Sequence, residues 1–124
     1  MGTRIDLFKS AEGTSYEAGT IIFREGDVRD NLYIVQAGEI EIRDSEGHIR
    51  MVGEGEIFGE MALITNARRS ATAMAHTDVR LVPVSAKRFL FLIDNNHDFA
   101  LTIMRVLVER LAQPREGETG SDID

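Results

Sequence analysis

The sequence predicts one domain that is mainly β with flanking helices, a β-roll or jelly-roll barrel of the double-stranded β-helix kind. Three observations predict this fold. Short β-like runs alternate with turn residues from Tyr16 to Val84, a helical hydrophobic period follows them, and a short helical segment interrupts the strands after Gly59. Many short strands between turns are typical of a sandwich or barrel rather than a βαβ fold. The 124 residues leave room for one domain with a modest core.

The predicted strands are short runs rich in β-branched and aromatic residues, at 20–23, 31–36, 39–43, 49–52, 71–75 and 79–84. Turn sequences built around Gly26, Gly38 and Gly47 separate several of them. Glycine adopts positive φ at low steric cost, so the chain can reverse at these positions. The order of strands and turns therefore predicts a sandwich or barrel of the jelly-roll kind.

Both ends of the chain are expected to lie outside the predicted domain, which spans residues 16–113. Residues 1–15 form a leader in which 5–11 can make a short helix that packs through Ile5, Leu7 and Phe8, and a frayed leader is the alternative. Residues 114–124 are acidic, contain glycine and have almost no apolar side chains. That composition predicts a disordered tail.

Two helices are predicted after the last strand, within residues 85–113. Ser85 is the predicted N-cap of the first helix, whose apolar residues recur at helical spacing up to about Asn95. Asp98 is the predicted cap of the second helix, which must end before Pro114. The apolar stripe of this second helix is broader than one packing surface needs, which is compatible with contact to a second copy of the chain.

Composition excludes several classes of protein. The net charge is −7, whereas a nucleic-acid binder or a protein attached to an anionic membrane needs a basic face. Cysteine is absent, which excludes a disulfide framework and a thiolate metal site. No apolar run approaches the length of about 20 residues that spans a bilayer, and the first residues lack the apolar region of a signal peptide. We therefore expect a cytoplasmic protein that binds neither nucleic acid nor membrane.

The most informative segment is residues 58–72, which read FGEMALITNARRSAT. Gly59 allows backbone to approach a ligand closely, and the following residues can form a helical turn whose first amides attract an anion. Arg69 offers a planar guanidinium that fits phosphate oxygens, and Ser70 adds a hydroxyl. Glu60 would repel a phosphate but can accept a hydrogen bond from a ribose hydroxyl. A phosphate clamp beside a sugar acceptor indicates a nucleotide.

This segment resembles the phosphate-binding cassette of cyclic nucleotide-binding domains, found in catabolite activators, protein kinase A regulatory subunits and cyclic nucleotide-gated channels. The cassette reads F-G-E-hydrophobic-A-L, a short loop, then R-[S/T/A]-A-[T/S], and every named position is matched in residues 58–72. The runs at 23–27 and 31–40 resemble the first half of such domains, where we interpret them as turns and core. The resemblance extends over residues 16–113. We call residues 58–72 the cassette.

The resemblance implies a ligand-binding site made of Gly59, Glu60, Met61, Ala62, Arg69 and Ser70. Arg69 would pair with the equatorial phosphate oxygen, helped by Ser70 and by the amides of Ala62 and Ser70. Glu60 and the Gly59 region would hold the ribose 2′-hydroxyl. The base would lie against apolar barrel residues, under a C-terminal helix that serves as a lid and can pair with its twin in a homodimer. Cyclic AMP is favoured over cyclic GMP, although the hydroxyl of Ser70 permits both.

The implied function is a stand-alone cyclic nucleotide sensor that is not an enzyme and needs no cofactor or metal. Ligand would move the C-terminal helices and so signal to a separate effector protein. The output segments of larger relatives are absent from this sequence, so the effector is another protein or the chain is a fragment of something longer.

Two alternatives stay open at this point. One is a dimerisation or interaction module on the same fold that no longer responds to ligand. The other is a small cupin-like metalloenzyme, which is disfavoured because His48, His76 and His97 are far apart and lack the spacing of metal ligands. No His has a sequence reason to lie beside Ser70, so a nucleophilic triad is not predicted either.

Overall fold

Two four-stranded antiparallel sheets, followed by two helices, make up the fold in the computed structural model, which describes Ile5, Phe8 and residues 11–112. The strands are β1 (Thr14–Tyr16), β2 (Ile21–Phe23), β3 (Asn31–Ala37), β4 (Ile40–Arg43), β5 (Ile49–Val52), β6 (Ile57–Phe58), β7 (Thr72–Ala75) and β8 (Val79–Ser85). The helices are α1 (Glu60–Thr65), α2 (Ala86–Asn95) and α3 (His97–Ala112). One sheet has the order β1-β8-β3-β6 and the other β2-β7-β4-β5.

This arrangement confirms the predicted jelly-roll class, with one refinement. Across the described residues the two sheets remain separate, so the strands do not close into a continuous barrel. Every predicted strand is present, and two short ones, β1 and β6, were not predicted. Strand β6 has 2 residues, too few to show an alternating pattern. The predicted helix at 5–11 lies largely outside the described residues, and the predicted tail lies wholly outside them.

Strand β3 lies between two apolar clusters, which explains why its sequence is a continuous apolar run. Leu32 and Ile34 face the cluster beneath the helices, where Phe89, Phe99 and Ile103 also pack. Tyr33 and Val35 face the cluster between the sheets, with Ile40, Val52, Phe58 and Leu81. Successive side chains of a strand point to opposite faces, so one strand contributes to both cores. Ile5 and Phe8 are buried in the helix-side cluster.

The helix caps differ in part from the sequence-based expectation. Ser85 caps α2 as predicted, since its side chain accepts a hydrogen bond from the amide of Arg88. Helix α3 begins one residue before the predicted cap Asp98, and the side chain of Asn96 accepts from the Phe99 amide instead. Asp98 lies in the first turn, where a carboxylate is stabilised by the helix dipole. The end of α3 reaches the start of α1, where Arg110 donates a hydrogen bond to Glu60.

Candidate functional site

Gly59 is the backbone hinge of the cassette. It joins β6 to α1 with φ of 83°, a left-handed conformation that favours glycine. A Cβ at this position would lie 2.9 Å from the Nη1 atom of Arg69 and 3.4 Å from the Phe23 ring. The absent side chain therefore lets the Arg69 guanidinium lie directly against the start of α1.

Arg69 is buried, with only 3% of its surface exposed, although it is a charged residue. Its Nη1 donates to the carbonyl oxygen of Gly59 at 3.0 Å, and its Nη2 donates to the Asp30 carboxylate at 2.9 Å and to the carbonyl oxygen of Asn31. The guanidinium carbon lies 3.9 Å from the centroid of the Phe23 ring. Its Nε is buried without a hydrogen-bond partner among the described residues. Three of the five guanidinium N–H groups thus have partners among the described residues.

Glu60 is the other buried charged residue of the cassette, at 1% exposure. Its Oε2 accepts a hydrogen bond of 2.9 Å from Nη1 of Arg110, near the end of α3. Arg110 also donates from Nη2 to the carbonyl oxygen of Ile57. The second carboxylate oxygen, Oε1, has no partner in the part of the chain that the structure describes. A buried acceptor without a donor is costly, so this oxygen is suited to a ligand hydroxyl.

All the predicted site residues line one small recess of about 50 Å³, together with Phe23, Ile42, Arg50 and Ala71. Next to it lies a cavity of about 480 Å³, and six residues line both spaces: Ile42, Arg50, Glu60, Met61, Ser70 and Ala71. The β4–β5 hairpin and α3 supply the other walls through Ile42, Asp44, His48, Ile49, Arg50, Leu107, Arg110 and Leu111. The volume of this cavity falls within the range of about 300–1,000 Å³ typical of small-molecule pockets.

Two arginines of this site were not predicted from the sequence. Arg110 had no sequence signal, because helical periodicity predicts apolar contacts and does not identify a buried ion pair. Arg50 projects from a strand between two exposed apolar residues, an alternation that places it on the inner face. Burial, and secondarily repulsion by Arg110, lowers the pKa of Arg50 to about 10. Its guanidinium makes no hydrogen bond to the described residues.

The β4–β5 hairpin brings Asp44, Glu46 and His48 together, with one ligand atom from each within 4.8 Å of the others. Nδ1 of His48 lies 2.9 Å from Oδ2 of Asp44, and this hydrogen bond lowers the pKa of the Asp44 carboxyl below its ordinary value. The sequence predicted the turn at Gly47 but not the contacts between these side chains. His48 contacts both carboxylates, since its Nδ1 also lies 3.5 Å from Oε1 of Glu46.

No helix among the described residues combines the length and the apolar character needed to cross a membrane. Comparison with known proteins then identifies the fold. The family model for the cyclic nucleotide-binding domain matches residues 14–96. A cyclic nucleotide-gated potassium channel of Rhizobium etli is 32% identical over 110 residues, which are 89% of this chain and 31% of the channel.

Solved structures agree with the family match. The catabolite activator protein of Thermus thermophilus is 34% identical with a TM-score of 0.72, over 86% of this chain and 53% of that one. The cyclic GMP-bound form of the EAL enzyme Bd1971 is 40% identical with a TM-score of 0.64, over 81% of this chain and 28% of that one. The chain thus spans about a third of the channel and about half of the activator. From the matched residues and the cassette geometry together, the chain belongs to the cyclic nucleotide-binding domain family.

Proposed function

We propose that this domain is a regulatory module that binds a 3′,5′-cyclic purine nucleotide in the joined recess and cavity and signals to a separate partner. The observation that carries the proposal is that a buried cation, Arg69, and a buried carboxylate, Glu60, line the same recess, and each has one atom without a hydrogen-bond partner among the described residues. Domains of this family are regulatory and not catalytic. The expected absence of enzymatic activity and the expected cytoplasmic location both stay predictions.

The phosphate would lie in the recess beside Arg69. Arg69, Ser70 and the first residues of α1 all line this space. A cyclic phosphate diester carries a single negative charge, so one guanidinium with helix-end amides matches it without a metal ion. Because Asp30 and two carbonyl oxygens already hold the other guanidinium nitrogens, the cation needs little rearrangement on binding.

The ribose would lie over Glu60. Oε1 of Glu60, which has no partner among the described residues, can accept a hydrogen bond from the ribose 2′-hydroxyl, while Oε2 keeps its hydrogen bond from Arg110. A deoxyribose ligand would leave this buried oxygen unsatisfied, so the site should discriminate against it. Glu60 thus links the sugar directly to α3.

The base would occupy the larger cavity against Ile49, Leu107 and Leu111, with Arg50 at its inner wall. The sequence favours cyclic AMP on general resemblance, whereas Arg50 supports cyclic GMP as a second candidate. A guanidinium can donate two hydrogen bonds to O6 and N7 of guanine, but adenine offers N7 beside a donating amino group. The EAL enzyme Bd1971 has been solved with cyclic GMP and with cyclic AMP, which supports both ligands for this chain.

Signalling would follow from a shift in the position of α3. The Arg110–Glu60 pair joins the end of α3 to the ligand-facing carboxylate, so ligand and helix position are energetically linked. Along its outer face α3 exposes Leu101, Met104 and Val108. This spacing of three and four residues is typical of a helix that pairs with its twin, which supports the proposed homodimer. A Val108→Glu variant should then be monomeric in sedimentation velocity at a concentration where wild type is dimeric.

Isothermal titration calorimetry with cyclic AMP, cyclic GMP and linear AMP tests the proposal. We expect binding of at least one cyclic nucleotide, weaker binding of AMP, and a loss of about 2 kcal/mol or more in Arg69→Ala. Arg68→Ala is the matched control, because Arg68 is adjacent but exposed and, in the described part of the chain, donates only to the Gly26 carbonyl oxygen. Absence of binding to either cyclic nucleotide would favour the ligand-unresponsive module. Stoichiometric metal in the purified protein would favour the cupin-like alternative.

A further inference from the structure

We propose that Phe23 is a positioning residue for the phosphate site, because its ring fixes the plane of the Arg69 guanidinium. This inference rests on the proposed role of Arg69 in phosphate binding. The sequence had placed Phe23 in a turn motif of purely architectural meaning. In the structure, however, Phe23 lines the recess that all the predicted site residues share.

The contact geometry supports a stacking role. The guanidinium carbon of Arg69 lies 3.9 Å from the Phe23 ring centroid, well within the range of about 6 Å over which a cation and an aromatic face attract each other. The hydrogen bonds from Nη1 and Nη2 restrain that end of the guanidinium, but Nε has no partner in the described chain. Because the guanidinium is one rigid plane, the ring and these hydrogen bonds together fix its orientation.

The ring is itself held in place before any ligand arrives. Its centroid lies 5.9 Å from that of Phe58 and 6.2 Å from that of Tyr33, and these two rings stack on each other at 5.2 Å. Phe58 and Tyr33 are both buried in the cluster between the sheets. An aromatic support that is fixed by the core cannot turn away when the guanidinium loses or gains a partner.

The backbone of β2 also accounts for this placement. The β2–β7 register shifts between Ile21 and Phe23, so that Phe23 pairs with Ala73. Such irregularities in a strand redirect side chains. Consistent with this, the consecutive residues Ile22 and Phe23 both pack against the cluster between the sheets. In a regular strand, two consecutive side chains would point to opposite faces. The irregularity therefore directs a ring towards the cassette.

A double-mutant cycle separates this role from a merely structural one. Calorimetry with cyclic AMP and cyclic GMP would compare wild type, Phe23→Leu, Arg69→Ala and the double variant. Phe23→Leu removes the ring and should weaken nucleotide binding about tenfold. Phe23→Tyr keeps the ring and should bind within about twofold of wild type. In the Arg69→Ala background, Phe23→Leu should cause no further loss. Ile22→Ala, on the same strand, should leave the affinity unchanged and controls for damage to the sheet.

Three outcomes would overturn the inference. If Phe23→Leu binds as tightly as wild type while Arg69→Ala is impaired, Phe23 has no positioning role and the proposed function survives. If Phe23→Leu causes the same loss with and without Arg69, the ring acts only through the core. If Arg69→Ala binds with undiminished affinity, the proposed phosphate role and this inference fail together. Should Phe23→Leu not fold, Phe23→Met, which keeps an apolar side chain without a ring, takes its place in the cycle.

Discussion

Removing Arg110 should destabilise the domain through the carboxylate that it leaves behind. Glu60 is 1% exposed, and Oε2 loses its hydrogen bond when Arg110→Ala truncates the donor. Oε1 is already without a partner among the described residues, so the variant buries a carboxylate with both oxygens unpaired. Breaking a fully buried ion pair from one side costs about 3–5 kcal/mol. Since the Arg110 side chain retains 18% exposure, water can reach its place, and we expect about 2–3 kcal/mol.

Urea denaturation followed by circular dichroism measures this change as a lower midpoint with an unchanged m-value. Arg105→Ala is the matched control, because Arg105 is an exposed arginine on the same helix and should change stability by less than about 0.5 kcal/mol. Adding Glu60→Gln to Arg110→Ala should recover part of the loss, since a neutral amide is less costly to bury than a carboxylate. An Arg110→Ala variant as stable as the Arg105→Ala control would refute the reasoning.

Three further predictions follow from the site. Gly59→Ala should cost about 1–2 kcal/mol in urea unfolding and weaken nucleotide binding, because the φ of 83° is strained for alanine and the new methyl group contacts Arg69; wild-type affinity would contradict this. Arg50→Met should leave the ligand-free domain as stable as wild type or more stable, because burial disfavours the charge, as the lowered pKa of about 10 indicates. The same variant should lose more affinity for cyclic GMP than for cyclic AMP, and an equal loss by calorimetry would remove the argument for guanine. Asp44 has a lowered pKa, so its stabilising contribution is present above the ordinary pKa and is lost as pH falls through the lowered value. Asp44→Asn should therefore reduce the fall in the free energy of unfolding between neutral and strongly acidic pH. An unchanged fall would show that the His48 contact contributes nothing.

Much of the fold followed from local pattern. The turns at Gly26, Gly38 and Gly47 all have positive φ, as the glycine spacing predicted. Ser85 caps α2 because a hydroxyl before a helical run satisfies a free amide wherever it occurs. The predicted N-cap of α3, Asp98, was wrong. Asn96 and Asp98 are both residue types that cap helices well, and only the path of the chain between the two helices selects Asn96. Strands β1 and β6 were missed because 3 and 2 residues carry too little periodicity.

The sequence by itself determined the cassette, because Gly59, Glu60, Arg69 and Ser70 are close along the chain and their chemistry requires a particular order. Only the tertiary structure brought Phe23, Arg50 and Arg110 to the same site, from strands β2 and β5 and from the end of α3. Contacts such as Arg110 with Glu60, 50 residues apart, leave no periodic trace in either segment. Local order thus identifies the family, whereas the folded chain decides which distant side chains pack on Arg69, pair with Glu60 and line the cavity.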